Sequence, residues 1–386
     1  MAIDWKFTGL LVAGAVATSA VVLVATGSGD GGSGEPAAGD APLPAPPAGG
    51  PAPGAAPGAT PGAGNPGGPG GPGGPTGPQQ TLPLPAMGGR ITCPNATATV
   101  SSPVELQEKL NDANPGDVIR LAPGTYPGQY RTQRSGTADK PIFVCGPAGA
   151  VLDGGNAGKG YGFHLEGASH WRLVGFTVRN SQKGVMLDGS SGSVLQGLTV
   201  RDTGDEAIHL RRFSTGNAVT HNTITGTGRS NPRFGEGVYL GSSHKNWAQL
   251  TQGQPDKSDN NLVAANRIQG TTAEAVDIKE GTSGGRIAGN VFDGSRLSGD
   301  KVNDSWVDVK GNNYVIEGNR GSRTVKDGFQ AHEEYRGWGT GNTFRGNIVD
   351  LGGGRGVGFN LFSDGNRVAC DNRVTGGRLL NKGACS

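Results

Sequence analysis

The chain has 386 residues, and its 72 Gly and 25 Pro make about a quarter of it turn-forming or helix-breaking, which excludes a helical bundle. Aromatic residues are only 6% and charged residues 17%, so an ordered region has to build its core by repeating small apolar units. One of the 34 basic and four of the 32 acidic residues lie in residues 1–89, leaving 33 against 28 and a surplus of about five beyond them. With no basic run interleaved with aromatics, this argues against a nucleic-acid partner and suits an acidic polymer.

Residues 1–27 read as a signal peptide or a membrane anchor. No charge occurs between Lys6 and Asp30, and Leu10 to Thr26 is built of Leu, Val, Ala, Gly and small polar residues. The small-residue exit Ala25-Thr26-Gly27 suits cleavage, while the length approaches that of a membrane span. Either reading predicts a secreted or surface-anchored protein, touching the membrane only through this segment if it is uncleaved. No cysteine lies near its end, so a lipoprotein thioether has nowhere to form.

Residues 28–89 are Gly, Pro and Ala with almost no large apolar side chain, so they are expected to form a disordered stalk. Residues 90–386 form the folded domain, expected to be monomeric. This domain holds all four cysteines, Cys93, Cys145, Cys370 and Cys385, and an exported location predicts two disulfides. Of three possible connectivities, Cys93 with Cys145 and Cys370 with Cys385 would pin its two ends. No zinc-type ligand spacing occurs among them.

Pro103 to Ala113 predicts a short amphipathic helix with Val104, Leu106 and Leu110 on one face, placed to cap the first coil, which begins at Gly116-Asp117-Val118-Ile119. From there a motif of small residue, apolar, polar, apolar recurs: Gly162-Phe-His-Leu165, Gly184-Val-Met-Leu187, Ala207-Ile-His-Leu210, Gly237-Val-Tyr-Leu240, Ala275-Val-Asp-Ile278, a loose copy at Trp306-Val-Asp-Val309, and Gly328-Phe-Gln-Ala331. Several copies are followed by a second strand marked by Asn, with Asn222, Asn266, Asn290, Asn319 and Asn347 at a bend. There Asn tolerates left-handed backbone and can bond its neighbours in a ladder. Two or three short strands per coil without an intervening helix predict an all-β fold, a right-handed parallel β-helix.

The period of two places Val276 and Ile278 inward and Asp277 and Lys279 outward. Stacked coils then present two outward columns. One reads His164, Met186, His209, Tyr239, Asp277, Asp308, Gln330; the other reads Glu166, Asp188, Arg211, Gly241, Lys279, Lys310, His332. His164 and Met186 are read as ordinary surface residues, and Trp171 and Trp306 as packing residues or, as the second choice, coil-edge platforms. Insertions with His244, Lys245 and Trp247, and with Tyr335, Arg336 and Trp338, would wall a groove and offer platforms for sugar rings.

Gly116-Asp-Val-Ile-x-Leu121-x-x-Gly124-Thr-Tyr126, followed by Ser135-Gly-Thr-Ala-x-Lys140-Pro-Ile142, resembles the first coils of secreted β-helix polysaccharide lyases, the alginate lyase and chondroitinase B family and the family-nine pectate lyases. Glu274-Ala-Val-Asp-Ile-Lys279, with Gly289-Asn-Val-Phe292, is similar to the coil of the alginate lyase and chondroitinase B family in which a Glu binds calcium and a Lys five residues later is the base. The resemblance implies Glu274 as a calcium ligand and Lys279 as the base. Where that family's next coil offers an Arg as the acid, this sequence has Lys310.

Proton abstraction beside a uronate carboxylate requires that the carboxylate first be neutralised and that a base then be available near neutral pH. Lys279 and Lys310 are the catalytic candidates, Lys310 lowering the pKa of Lys279 by like charge. Glu236, Glu274, Asp277 and Asp308 are candidate Ca²⁺ ligands. His209, Arg211, Tyr239, Gln330, His332 and Trp338 are candidate substrate contacts. The expected function is a lyase acting on an acidic, uronate-containing polysaccharide. Alternatives are a glycoside hydrolase using Asp277 and Asp308, a non-catalytic glycan-binding module, and a solvated ion-pair ladder without function.

Overall fold

Strands of two to six residues, each ended by a tight turn, bury one apolar face and leave their edges to the strand one coil away. The computed structural model describes residues 89–299 and 303–386; the expectations for residues 1–88 lie outside the described residues. Every third strand pairs in parallel, giving three sheets of eleven, ten and ten strands wrapped around one interior. One sheet carries the predicted motif: Tyr161–Glu166, Lys183–Asp188, Ile208–Arg211, Val238–Leu240, Val276–Ile278, Ser305–Val309, Asp327–Ala331 and Val357–Leu361 lie side by side. Leu187, Leu210, Leu240, Ile278 and Val309 point into the shared core with Val185, Ile208, Val238, Val276 and Val307.

The asparagine ladder forms as expected. The backbone N–H and side-chain amide of Asn222 both donate to Asn266 Oδ1, at 2.9 and 3.0 Å, and the pattern continues through Asn290, Asn319, Asn347 and Asn372. The left-handed residue is not the Asn, however. It is the residue before it: His221 and Ala265 have φ of 56° and 54°, and Gly289, Gly318 and Gly346 hold the same place in later coils. A left-handed step there turns the chain, so the Asn side chain can lie along the stack.

The loose copy at Trp306 has a compensating partner. In other coils a small residue on the motif strand faces a branched one on the third sheet, and a Cβ on Gly184 would meet Val200 at 2.4 Å. Trp306 inverts that arrangement. It is fully buried, as predicted for a packing residue, and Gly321 stands where Val200, Ile224, Ile268 and Phe292 stand in earlier coils. A Cβ on Gly321 would lie 2.3 Å from the Trp306 ring. Trp171 is likewise buried.

The helix spans Pro103–Asp112, with Ser102 and Glu105 forming a reciprocal capping box. Leu106 and Leu110 are buried in the main core, but Val104 is 66% exposed and does not join them, because it lies in the first turn on the solvent side. Cys93–Cys145 and Cys370–Cys385 are bonded, the first of the connectivities considered.

Candidate functional site

The predicted columns are in register. His164, Met186, His209, Tyr239, Asp277, Asp308 and Gln330 stand opposite one another on successive strands, followed by Asn360. They point away from the core, yet most are buried, which corrects two expectations. The Asp and Lys residues are ion-paired but do not form a solvated ladder, and His164 and Met186 are not surface residues. His164 Nε2 lies 2.9 Å from Asp188 Oδ2, and Asp188 also accepts from Arg211 Nε at 2.8 Å.

The insertions provide cover on one side of this face. The His244 ring nitrogen Nδ1 and backbone N–H lie 2.7 and 2.6 Å from Glu280 Oε1, and Tyr335 packs against Trp247 and His244 with ring centroids 5.3 and 5.0 Å apart. Trp247 is therefore buried packing rather than an open sugar platform. Trp338 is half-buried and closes a turn of its loop, its N–H donating to the Tyr335 carbonyl at 3.0 Å.

Lys279 occupies the middle of the face and is 2% exposed. Its ammonium lies 2.9 Å from Asp277 Oδ2 and 5.0 Å from the centre of the Tyr239 ring. Lys310 Nζ sits between Asp277 Oδ1 at 2.9 Å and Asp308 Oδ2 at 2.7 Å. Burial opposes its charge, but those two carboxylates hold Lys310 well above the usual lysine value. It is thus a fixed cation. Asp277 in turn stays below its ordinary value despite burial, because Lys279 and Lys310 flank it.

Beside this row lies a second one, only half anticipated from the sequence. Glu236 and Glu274 were candidates, while Lys183 and Glu206 were missed; the Lys183 ammonium lies 2.9 Å from the Glu206 carboxylate, and both are buried. The signal was present as a charged residue directly before each small one: Lys183-Gly184, Glu206-Ala207, Glu236-Gly237, Glu274-Ala275. Burial first, and then the surrounding carboxylates, raise Glu236 and Glu274 well above the ordinary glutamate value. Glu206, Asp277 and Asp308 then face Lys183, Lys279 and Lys310.

A stability profile checks this proton inventory. A carboxyl whose folded pKa is raised contributes stability that is complete below its unfolded value near 4.5 and is lost as pH rises toward the folded value. The melting temperature is expected to fall with rising pH above that point, at up to about 1.4 kcal/mol per pH unit for each proton released. Glu236→Gln should flatten the slope. An unchanged slope in that variant would refute the assignment.

Three predicted substrate contacts are instead bound by the protein. His209 Nε2 lies 2.9 Å from the Gly241 carbonyl, Nδ1 lies 3.3 Å from Glu206, and the ring packs on Tyr239 with centroids 4.4 Å apart. Arg211 holds Asp188, and Gln330 donates to Asp304 and Asp327 at 2.6 and 2.9 Å. These residues brace the face. His332 is more open, 3.6 Å from Asp308 and 3.0 Å from Gln330.

Residues 161–306 match the family model for the right handed beta helix region. Among solved structures, the chain matches an alginate lyase from Paenibacillus sp. str. FPU-7 at 36% identity and a TM-score of 0.70, covering 75% of this chain and 99% of that one. The chain belongs to the family of that β-helix alginate lyase. Pectate lyase Pel9A, at 15% identity and a TM-score of 0.54, covers 73% of this chain and 80% of its own. A polygalacturonase from Erwinia carotovora ssp. carotovora, at 10% identity and a TM-score of 0.50, covers 78% of this chain and 99% of its own. These last two share the fold alone, and since one is named a lyase and the other a polygalacturonase, the right-handed β-helix does not by itself select a chemistry. Comparison with curated proteins returns no match.

Proposed function

We propose that the chain is an exported lyase cleaving a uronate-containing polysaccharide by β-elimination, with alginate the first substrate to try. The observation that carries this reading is the 36% identity extending over 99% of an alginate lyase. The residues on the face supply what the reaction needs. Lys310, a fixed cation, neutralises the uronate carboxylate and makes the neighbouring C5 proton acidic. Lys279, whose ammonium rests 2.9 Å from Asp277 Oδ2, first gives a proton to solvent; as the amine it takes the C5 proton and returns to the ammonium that Asp277 holds. The C4–O bond breaks as the C4=C5 double bond forms, and the Tyr239 hydroxyl gives its proton to the departing oxygen. Lys279 Nζ lies 5.0 Å from the centre of the Tyr239 ring, so base and acid stand on neighbouring coils, and exchange with solvent returns the proton from Lys279 to the Tyr239 phenolate.

The hydrolase alternative needs one carboxyl to carry a proton and the other to be ionised. Asp277 and Asp308 are both ion-paired to Lys310, an arrangement that places neither as the acid. Two disulfides fit the oxidising compartment that export implies.

Calcium fits Glu236, Glu274 and Asp277. Their carboxylate oxygens lie within 4.8 Å of one another, and Glu236 Oε2 is buried without a hydrogen-bond partner. Asp308, also a candidate ligand from the sequence, is not in this cluster. The ion would supply fixed positive charge beside Asp277. Calcium titration is expected to release protons as the ion binds, read by calorimetry in buffers of different ionisation enthalpy; absence of buffer-dependent heat would remove calcium from the account.

The direct test is ultraviolet absorbance during incubation with alginate, pectate and chondroitin, each with calcium and with chelator. A rise on one polymer is expected. New reducing ends without absorbance would indicate hydrolysis, and retention of polymer without shortening would indicate a binding module; either overturns the lyase reading.

A further inference from the structure

We propose that Phe362 is a sugar-stacking platform, three coils from Lys279, and that the protein grips its polymer on the carboxy-terminal side of the Lys279–Tyr239 pair. This rests on the uronate-lyase reading and adds where the chain is held. Ile278, Val309, Ala331 and Leu361 are in register on successive strands. The residues one step beyond them, Lys279, Lys310, His332 and Phe362, therefore form one column. With about 4.8 Å between coils, each step is close to the length of one pyranose unit in an extended chain.

Phe362 is 52% exposed, although Leu361 and Ser363 on either side are buried. Its backbone N–H donates to the Ala331 carbonyl at 2.9 Å, and its ring stacks on His332 at 4.4 Å with 19° between planes. One face of the ring is thus fixed against a neighbour, which orders the side chain in advance while leaving it accessible. A single exposed Phe is unremarkable on most surfaces. Here it continues the column of the proposed base, next to a half-exposed His and a fixed cation.

In the opposite direction the same column holds no exposed ring among the described residues, and the exposed Phe213 lies two residues past it. Gly241 has no side chain, and Arg211, Asp188 and His164 are buried and bonded to one another. Beyond them Glu166 is paired with Arg131 at 3.4 Å.

The test is steady-state kinetics of the full-length protein, wild type against Phe362→Ala and Phe362→Tyr, on alginate polymer and on an unsaturated-free uronate trimer. Productive binding of a trimer has to place its scissile bond at Lys279, so it does not reach Phe362. Phe362→Ala is expected to raise KM for the polymer roughly three- to tenfold with kcat little changed, the size of one aromatic stacking contact. The trimer KM should hardly move, and Phe362→Tyr should restore the polymer value. An unchanged polymer KM, or equal changes for polymer and trimer, would overturn the platform while leaving the lyase reading intact. If the wild type forms no unsaturated product from any uronate polymer, both readings fall together.

Discussion

Lys279→Met is expected to lower the rate of unsaturated-product formation by about 10²- to 10⁴-fold, the range attributed to a positioned general base. Met keeps the stem volume of a side chain that is 2% exposed, so the loss should not come from a cavity. Lys310 still neutralises Asp277 in the variant, since its ammonium lies 2.9 Å from that carboxylate. The melting temperature and far-ultraviolet spectrum separate a chemical loss from a structural one. A folded Lys279→Met protein retaining wild-type rate would exclude Lys279 as the base. Lys310→Met is expected to act differently, raising KM as well as lowering kcat, because the fixed cation meets the substrate carboxylate before and during the transfer.

Gly321→Val is expected to destabilise the fold by about 3 kcal/mol, at the upper end of overpacking costs. The added Cβ would meet the Trp306 ring at 2.3 Å, and that ring is walled by Gly294 and Gly328 as well. Backbone on these sides leaves the indole no room to retreat. The double variant Trp306→Ala with Gly321→Val restores the arrangement of the other coils, small residue against branched one, and should recover much of the loss. Equilibrium denaturation of the three variants measures the coupling. Additive effects would show that the two positions do not exchange volume.

The same pair illustrates what could be read from the sequence and what could not. Parity within each short strand was legible, so the inward and outward columns were correct to the residue. Trp306 was visible as an irregular copy, but its compensation at Gly321 lies on another sheet, where a lone Gly carries no signal of its own. Burial of Asp277, Lys279 and Lys310 was illegible for a similar reason. It depends on how the insertion around Trp247 and the loop around Tyr335 fold back, and no local pattern encodes their meeting. Lys183 and Glu206 escaped because they precede the motif by one position, outside the two columns that the alternation picks out. Nor does alternation alone distinguish a residue that faces solvent from one that faces its neighbours, so the bonds of Arg211 to Asp188 and of Gln330 to Asp304 were not legible.

The asparagine ladder makes each coil a separable unit, bonded to the next in the same way from Asn222 to Asn372. Duplication of one coil beyond Lys310 would lengthen the gripping strip by about 4.8 Å and leave the reacting pair untouched. The same duplication between the strands of Tyr239 and Asp277 would preserve the fold and separate Tyr239 from Lys279. Inheritance can therefore adjust how many sugar units such a protein holds in whole-coil steps, at junctions other than the two that join its base to its proton donor and to its fixed cation.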